Sequence, residues 1–294
     1  MSGTAGVIGL GIMGGAMARH LVKAGFTVHG FDPSADAVEA ARGDGVETLA
    51  SAAAVAEKAG GIVCSLPNPL ALRAVAEEIA SSSATGCVMM ETSTLKIADK
   101  EAARDILAAA GHTLLDCPLS GTGQQAQTGD LAVFTSGAED AVAKCLPVIE
   151  AFSRENKYCG EFGNGSRMKF VANHLVTIHN VATAEAMVLG MKSGLDPELI
   201  YDVISTSAAT SRMFEVRGKY MVEDDYSDVG MSNRLYQKDL QVITDFAAEV
   251  RCPVNLFATS VQPYRAALEQ GHAESDTAAV CAVLEEQARV ERKS

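Results

Sequence analysis

Apolar runs and amphipathic stretches alternate through the first half of the chain. The runs have the length of buried strands, and the alanine-rich stretches between them have the spacing of amphipathic helices. The predicted strands are 5–9, 27–31, 61–66, 87–91, 112–116 and 131–136. The predicted helices are 12–24, 34–42, 50–59, 69–80, 96–110 and 138–152. Such an alternation of strands and helices predicts a parallel sheet that is covered by helices on both faces.

The pattern becomes entirely helical after residue 165. Residues 166–189 contain no glycine or proline, and apolar residues recur there every three or four positions, as on one face of a helix. This apolar stripe consists of Val171, Leu175, Ile178, Ala182, Ala186 and Leu189. We expect one long helix that links two domains and forms the core of the second. Further helices are predicted near 196–206, 211–221, 233–249, 254–269 and 277–291.

A glycine-rich turn follows the first predicted strand and leads into the first predicted helix. Gly9, Gly11 and Gly14 form the pattern GxGxxG. The first glycine permits a tight turn, the second lets a pyrophosphate approach the backbone, and the third lets helix and strand pack closely. The helix N-terminus also favours a bound anion. The candidate cofactor-binding residues of this turn are Gly9, Leu10, Gly11, Ile12, Met13 and Gly14.

Asp32 ends the second predicted strand and bears on the choice of cofactor. A carboxylate at this place accepts hydrogen bonds from the adenosine ribose hydroxyls and repels a 2′-phosphate. No lysine or arginine follows before Arg42, so NAD is expected rather than NADP. Asp32 could also cap the helix that follows Pro33, and the two roles can coexist.

Two further turns should lie at the same edge of the sheet as the glycine-rich turn. Leu66 and Pro67 follow the predicted strand 61–66, and Thr94 lies in the turn after 87–91. Ligands of doubly wound sheets bind at the carboxyl ends of the strands.

Together, the alternating first half and the helical second half of the chain predict an α/β fold, with a Rossmann-type doubly wound sheet in residues 1–162 and an all-helical second domain in residues 163–294.

Composition excludes several classes of function. The chain has 24 lysines and arginines against 37 acidic residues, a net charge of −13, which disfavours binding to nucleic acid. Its seven cysteines show no spacing typical of a metal site, so buried thiols and no metal are expected. No apolar run reaches the roughly 18 residues of a membrane span. The N-terminus lacks the cationic segment of a signal peptide, so a cytoplasmic location is expected.

Four motifs, in this order, resemble those of the β-hydroxyacid dehydrogenase family, whose members are related to 6-phosphogluconate and 3-hydroxyisobutyrate dehydrogenases. They are GLGIMGGAM at 9–17, DCPLSGTG at 116–123, GNGSRMKFVAN at 163–173 and the Lys-Asp-Leu sequence at 238–240. The resemblance covers essentially the whole chain. It implies hydride transfer between a nicotinamide cofactor and a small anionic 3-hydroxyacid, or the matching semialdehyde or keto acid, in a homodimer or homotetramer.

The same resemblance implies roles for individual residues. Lys169 resembles the family's catalytic lysine, which acts as general base in oxidation and general acid in reduction. Asn173 resembles its partner for orienting the substrate. The two residues are four positions apart and so share a helix face, offset from the apolar stripe. Thr94 matches a residue near the nicotinamide ribose, and Lys238 matches a lysine that closes over cofactor and substrate.

The segment Ser120, Gly121 and Thr122 matches the turn where the family binds the substrate carboxylate. The family's turn is typically Ser-Gly-Gly, so Thr122 places a side chain where the second glycine stands. We expect this side chain to narrow or shift the choice of substrate. Two alternatives remain, an imine reductase on the same scaffold and a non-catalytic dinucleotide-binding sensor. Both usually lack the lysine, so Lys169 argues against them.

Overall fold

The computed structural model describes residues 3–292, which divide into two compact units. One unit ends at Lys169 and the other begins at Phe170, so the division falls within a single long helix. The first unit contains alternating strands and helices, and the described part of the second is helical. The predicted fold class, a Rossmann-type sheet followed by an all-helical region, is therefore confirmed.

The main sheet of the first unit has the strand order of a doubly wound fold. Its strands are β1 (Thr4–Ile8), β2 (Thr27–Phe31), β3 (Glu47–Thr48), β4 (Gly61–Cys64), β5 (Val88–Glu91) and β6 (Thr113–Asp116). They are arranged β3-β2-β1-β4-β5-β6 and pair in parallel throughout. The winding reverses between β1 and β4, and ligands of such sheets bind at this reversal.

Helices connect the successive strands and pack on both faces of this sheet, as predicted. They are α1 (Ile12–Lys23), α2 (Ala35–Gly43), α3 (Ala52–Lys58), α4 (Pro69–Ala80) and α5 (Ile97–Ala109). One apolar core includes Met17 and Leu21 of α1. A second core includes Leu72 of α4 and Leu107 of α5. The central strands are buried between these cores, which explains why most of their residues are apolar.

A smaller sheet completes the first unit. Its elements are β7 (Leu119–Ser120), α6 (Gly123–Thr128), β8 (Leu131–Thr135), α7 (Glu139–Phe152) and β9 (Ser153–Tyr158). β8 runs antiparallel to β7 and parallel to β9. A bridge between Asp116 and Ser136 links the end of β6 to the end of β8. The sequence pattern predicts β8 and α7 but not β9, because the residues of β9 are polar and largely exposed.

The long helix α8 (Asn164–Lys192) begins in the first unit and continues into the second. The remaining helices are α9 (Pro197–Ser205), α10 (Arg212–Glu223), α11 (Asn233–Glu249), α12 (Asn255–Glu269) and α13 (Val280–Ala288), the last preceded by a 3₁₀ turn at Thr277–Ala279. Each lies close to its predicted range. The observed α8 is longer than the predicted helix by a few residues at each end.

The long helix α8 packs into the core of the second unit, as expected, but it does so through a face other than its apolar stripe, with Val181 and Met187 buried. Val171, Leu175 and Leu189 of the stripe are 54%, 48% and 74% exposed. The opposite face is buried although it carries polar residues, because these residues are hydrogen-bonded within the unit. The Thr177 hydroxyl lies 2.8 Å from the hydroxyl of Tyr236. Asn180 Nδ2 donates to the Tyr264 hydroxyl at 2.8 Å.

Candidate active site

The three glycines of the first turn have different steric surroundings. A Cβ on Gly9 would lie 2.0 Å from the Ser65 carbonyl oxygen, and Gly9 also has a φ of +88°, which favours glycine. A Cβ on Gly14 would lie 1.7 Å from the Gly9 carbonyl oxygen. A Cβ on Gly11 would meet no atom within 4 Å. Gly9 and Gly14 are thus required for packing, whereas the space over Gly11 is open to a ligand.

The start of α1 has the properties of a phosphate site. Its N-cap residue is Gly11, which offers no side-chain acceptor to the helix, and its first turn contains no acidic residue. The first backbone N–H groups of a helix have no partner within the helix, and they carry the positive end of its dipole. Ile12, at the first position, is 70% exposed. This arrangement fits the pyrophosphate of a dinucleotide.

Asp32 is fixed beside this turn by two backbone hydrogen bonds. Its Oδ2 accepts from the Leu10 N–H at 2.7 Å, and its Oδ1 accepts from the Ser34 N–H at 2.8 Å. The cap of α2 is Ser34, so the alternative that Asp32 caps this helix is wrong. A carboxylate has about four lone-pair sites, which leaves capacity for ribose hydroxyls. Arg42 is engaged elsewhere, since its Nε donates to Thr48 Oγ1 at 2.7 Å.

The turns after β4 and β5 are bonded to each other at the carboxyl edge of the sheet. The Leu66 N–H donates to Ser93 Oγ at 2.8 Å, and the Thr92 N–H donates to the Cys64 carbonyl at 2.8 Å. Pro67 is exposed and Thr94 is half-buried. Leu66, Pro67 and Thr94 therefore lie at the edge that also carries the glycine-rich turn. Ser93, which the sequence places only in the turn after β5, supplies the hydroxyl that joins the two turns.

Thr122 caps a helix. Gln125 N–H donates to Thr122 Oγ1 at 3.4 Å, and Thr122 N–H donates to Gln125 Oε1 at 3.0 Å, which together form a capping box at the start of α6. Gly121 has a φ of +143°, and a Cβ there would lie 2.6 Å from Leu131. Ser120 is half-buried at the end of β7. The threonine that departs from the family's turn thus has a structural role of its own.

Lys169 is buried near the start of α8, with 9% of its surface exposed. The helix start is held to the ends of β6 and β8. The Ser166 N–H donates to Asp116 Oδ2 at 2.7 Å, the Ser166 hydroxyl donates to Asp116 Oδ1 at 2.8 Å, and the Gly165 N–H donates to Ser136 Oγ at 2.9 Å. These bonds set the position of the first turns of α8, and hence of the Lys169 backbone, against the carboxyl edge of the sheet.

In the second unit, Asp239 links two of the predicted site residues. Asn173 is buried, and its Nδ2 donates to Asp239 Oδ2 at 2.9 Å. Lys238 Nζ lies 3.8 Å from Asp239 Oδ1, and this lysine side chain is 41% exposed. The bond to Asp239 fixes the orientation of the Asn173 amide. Asp239 was not among the predicted site residues, although the Lys-Asp-Leu motif contains it.

Two features of residues 3–292 bear on other functions. No cluster of three or more His, Cys, Asp or Glu side chains in this range could hold a metal ion. Within the same range, none of the helices combines the length and apolar character that a membrane span needs. Five of the cysteines (64, 87, 117, 145 and 281) are buried, and all seven are free thiols.

Comparison with known proteins agrees with the geometry. Residues 4–160 match the family model described as the NAD binding domain of 6-phosphogluconate dehydrogenase. Residues 163–284 match the model described as the NAD-binding domain of NADP-dependent 3-hydroxyisobutyrate dehydrogenase. The chain is 32% identical to an L-threonate dehydrogenase of Cupriavidus necator, over 97% of each chain.

Solved structures show the same relationship. A Mycobacterium tuberculosis 3-hydroxyisobutyrate dehydrogenase, solved with L-serine, superposes with a TM-score of 0.89 at 27% identity, over 97% of this chain and 99% of that one. An imine reductase from a Pseudomonas species shares the fold more distantly, with a TM-score of 0.61 at 18% identity, over 97% of this chain and all of the other. From its two family matches and its full-length relatives, the chain belongs to the β-hydroxyacid dehydrogenase family of oxidoreductases.

Proposed function

We propose that the protein is an NAD-dependent dehydrogenase of a small anionic 3-hydroxyacid, with Lys169 as the general acid and base. The observation that carries this proposal is the burial of Lys169 on a helix whose start is bonded to the end of β6. The glycine-rich turn lies at the carboxyl edge of the same sheet. A buried lysine near this edge is suited to proton transfer, whereas a surface lysine is not.

The proposed mechanism divides the work between cofactor and chain. The glycine-rich turn and Asp32 would hold a nicotinamide cofactor, which would supply the hydride acceptor for oxidation of the carbon that bears the hydroxyl. Lys169 Nζ takes the hydroxyl proton in oxidation and returns it in reduction. Positioned proton transfer contributes typically about 10²–10⁴ in rate. Asn173, its amide fixed by Asp239, orients the substrate.

The remaining predicted residues bind the two ligands. The segment of Ser120, Gly121 and Thr122 binds the substrate carboxylate, and Ser120 is its main donor because the Thr122 hydroxyl and N–H serve the cap of α6. The glycine-rich turn, Leu66, Pro67 and Thr94 bind the dinucleotide, and Lys238 closes over it. We assign most of the cofactor contacts, together with the turn for the substrate carboxylate, to residues 1–162. We assign the other substrate contacts and oligomerisation to residues 163–294.

The preference for NAD over NADP follows from Asp32. Its carboxylate is held by two backbone N–H groups and cannot easily turn away from a ribose 2′-phosphate. The first lysine or arginine that follows Asp32 in the sequence, Arg42, is bonded to Thr48 and lies 3.6 Å from Glu39, so it is not poised for a phosphate. Both features favour a ribose with free hydroxyls.

The exposed stripe of α8 supports self-association through the second unit. Soluble monomers rarely expose a continuous apolar patch, and the stripe places six apolar side chains over about 27 Å of one helix. A second copy of the same chain is the occupant that we propose, since two copies related by a twofold axis would bury both stripes at once. On this basis we propose a homodimer, or a tetramer built from such dimers.

A substrate screen with both cofactors tests the proposal. The panel contains L-threonate, 3-hydroxyisobutyrate and L-serine, the compounds named for similar proteins, which all bear a hydroxyl on the third carbon. We expect reduction of NAD with at least one of them. Turnover of cyclic imines without turnover of any hydroxyacid would favour the imine reductase alternative. Binding of NAD without turnover of either class would favour the sensor.

A further inference from the structure

A cluster of three fully buried charges lies beside the anchor of α8, and we infer that it positions Lys169 against the cofactor. The cluster consists of Glu91, Lys100 and Asp116, none of which is exposed to solvent. The inference rests on the proposed function, because it assumes that Lys169 is the proton-transfer residue. The three side chains are positioning residues, since they act through the helix and the loops that they hold.

The sheet and one helix bring the three charges together. Glu91 and Asp116 are the last residues of β5 and β6 and face each other in the strand register. Lys100, on α5, lies between them, with its Nζ 2.6 Å from Glu91 Oε2 and 2.8 Å from Asp116 Oδ1. The cluster is therefore built into the carboxyl edge of the sheet, where ligands of this fold bind.

One side of the cluster holds the cofactor loops. Glu91 Oε1 accepts from the Ser93 N–H at 2.9 Å, and Ser93 Oγ accepts from the Leu66 N–H at 2.8 Å. These two bonds fix the turns that contain Leu66 and Thr94, both of which are candidate cofactor residues. A shift of Glu91 would therefore move the backbone on which the dinucleotide rests.

The other side of the cluster holds the catalytic helix. Asp116 accepts from the Ser166 N–H and hydroxyl, and Ser136 Oγ lies 3.2 Å from Asp116 Oδ2 while it accepts from the Gly165 N–H. The start of α8 also packs tightly against the ends of β6 and β8, since a Cβ on Gly165 would lie 2.4 Å from the Phe134 carbonyl oxygen and 2.8 Å from that of Asp116. A chain of contacts thus runs from Leu66 to the turn that precedes Lys169.

The charges of this cluster are costly to bury, which argues for a role beyond stability. Buried ion pairs are seldom more stabilising than apolar side chains of similar volume. Burial alone would lower the pKa of Lys100, but the two carboxylates outweigh it and raise that pKa. The cluster carries one more negative than positive charge, and the positive end of the α8 dipole faces Asp116 and offsets the excess. The arrangement fixes the helix start in one place.

Replacing Ser166 tests the inference with less risk to folding than replacing one of the three charged residues. Replacing Lys100 would leave two buried carboxylates unpaired and would threaten the fold. Ser166→Ala removes one hydroxyl contact to Asp116 and keeps every charge. We expect it to lower kcat by about tenfold, because small displacements of a catalytic group reduce the rate strongly. The KM for NAD should change by less than about twofold, on the same reasoning.

The decisive measurement combines this change with Lys169→Ala. If Ser166 acts through Lys169, Ser166→Ala should leave the remaining rate of the Lys169→Ala protein unchanged within about twofold, because coupled residues are not additive. Ser51→Ala is the matched control. It removes a cap hydroxyl from α3, which carries none of the predicted site residues, and should leave kcat unchanged in both backgrounds.

Each other outcome contradicts the inference in a recognisable way. An equal fall in rate in both backgrounds would show that Ser166 has only a structural role. An unchanged kcat in Ser166→Ala alone would show that the cluster does not position Lys169. Full activity of Lys169→Ala alone would refute the proposed function, and the inference with it, so the two failures can be distinguished.

Discussion

Asp32 should decide which nicotinamide cofactor the protein uses, and a change of one atom in its side chain tests this. Asp32→Asn replaces a carboxylate oxygen by an amide nitrogen and removes the negative charge. Asparagine keeps one acceptor for the two backbone N–H groups, from Leu10 and Ser34, that now bond the carboxylate. One of these groups loses its acceptor, which should lower the free energy of unfolding by about 1 kcal/mol.

The magnitude of the cofactor effect follows from Coulomb's law. Two unit charges about 4 Å apart at an effective dielectric constant of about 20 interact by about 4 kcal/mol. Asp32 is half-buried, so salt and solvent reduce this repulsion. A remaining repulsion of about 3 kcal/mol corresponds to a preference for NAD on the order of 10² in kcat/KM. Asp32→Asn should reduce that preference by about tenfold or more.

The assay is the ratio of kcat/KM for NAD and NADP, measured with the same hydroxyacid. Asp36→Asn is the control, because this exposed residue in the first turn of α2 undergoes the same change of charge nearby. It should leave the ratio unchanged. If the unaltered protein used both cofactors equally well, or if Asp32→Asn had the same NAD-to-NADP ratio as the unaltered protein, Asp32 would not determine the choice of cofactor.

Four further predictions concern the cap of α6, the exposed stripe and the buried thiols. Thr122→Ala should lower the free energy of unfolding by about 1 kcal/mol through loss of the cap. Because the capping box holds the Thr122 hydroxyl, and in contrast to the expectation from the sequence, the ranking of acids in the panel should stay unchanged; a changed ranking would show that the hydroxyl reaches the substrate. Leu175→Glu should convert dimers to monomers in light scattering, whereas Leu70→Glu, the same change at an exposed site of α4, should not; a dimeric Leu175→Glu protein would exclude the stripe as the interface. Because burial raises the pKa of Cys145 to about 11, this thiol should resist alkylation at pH 8 until the protein unfolds, whereas the exposed Cys252 should react at once. For the same reason the free energy of unfolding should fall as the pH rises above about 9, since only the unfolded thiol then ionises; a constant value up to pH 11 would contradict this.

Most of the fold could be predicted from the sequence because the spacing of apolar residues and the local residue composition indicate the same strand or helix in most segments. The main sheet and its helices follow a regular alternation, and GxGxxG stands directly between β1 and α1. The strand β9 could not be predicted, since the residues of Ser153–Tyr158 have no apolar run and their strand depends on backbone pairing with β8. The pair Glu47–Thr48 is too short to leave a pattern.

The orientation of α8 shows a different limit of sequence analysis. Periodicity reveals that one face of a helix is apolar, but it does not reveal what covers that face. The buried face of α8 mixes apolar residues with polar ones, and the polar ones bond to Tyr236 and Tyr264, which lie 59 and 84 residues away from their partners. Only the folded chain brings such partners together. Because the buried face of α8 lies away from the apolar stripe, Lys169, which also lies off the stripe, is buried.

The candidate site could be predicted in part. The residues of the glycine-rich turn and Asp32 have a recognisable pattern with a stated physical cause. The charges at positions 91, 100 and 116 have none, because each resembles an ordinary helix or strand-end residue in the sequence. The parallel register that places Glu91 opposite Asp116 creates the cluster, and that register is a property of the sheet.

The central claim is that Lys169 transfers the proton, and the kcat of Lys169→Ala with saturating NAD and hydroxyacid tests it most directly. We expect kcat to fall by a factor on the order of 10²–10⁴, while the NAD dissociation constant stays the same. Lys169→Arg should not restore the rate, because arginine remains protonated and cannot accept the hydroxyl proton. If Lys169→Ala keeps a large part of the original kcat, the base lies elsewhere and the account is wrong.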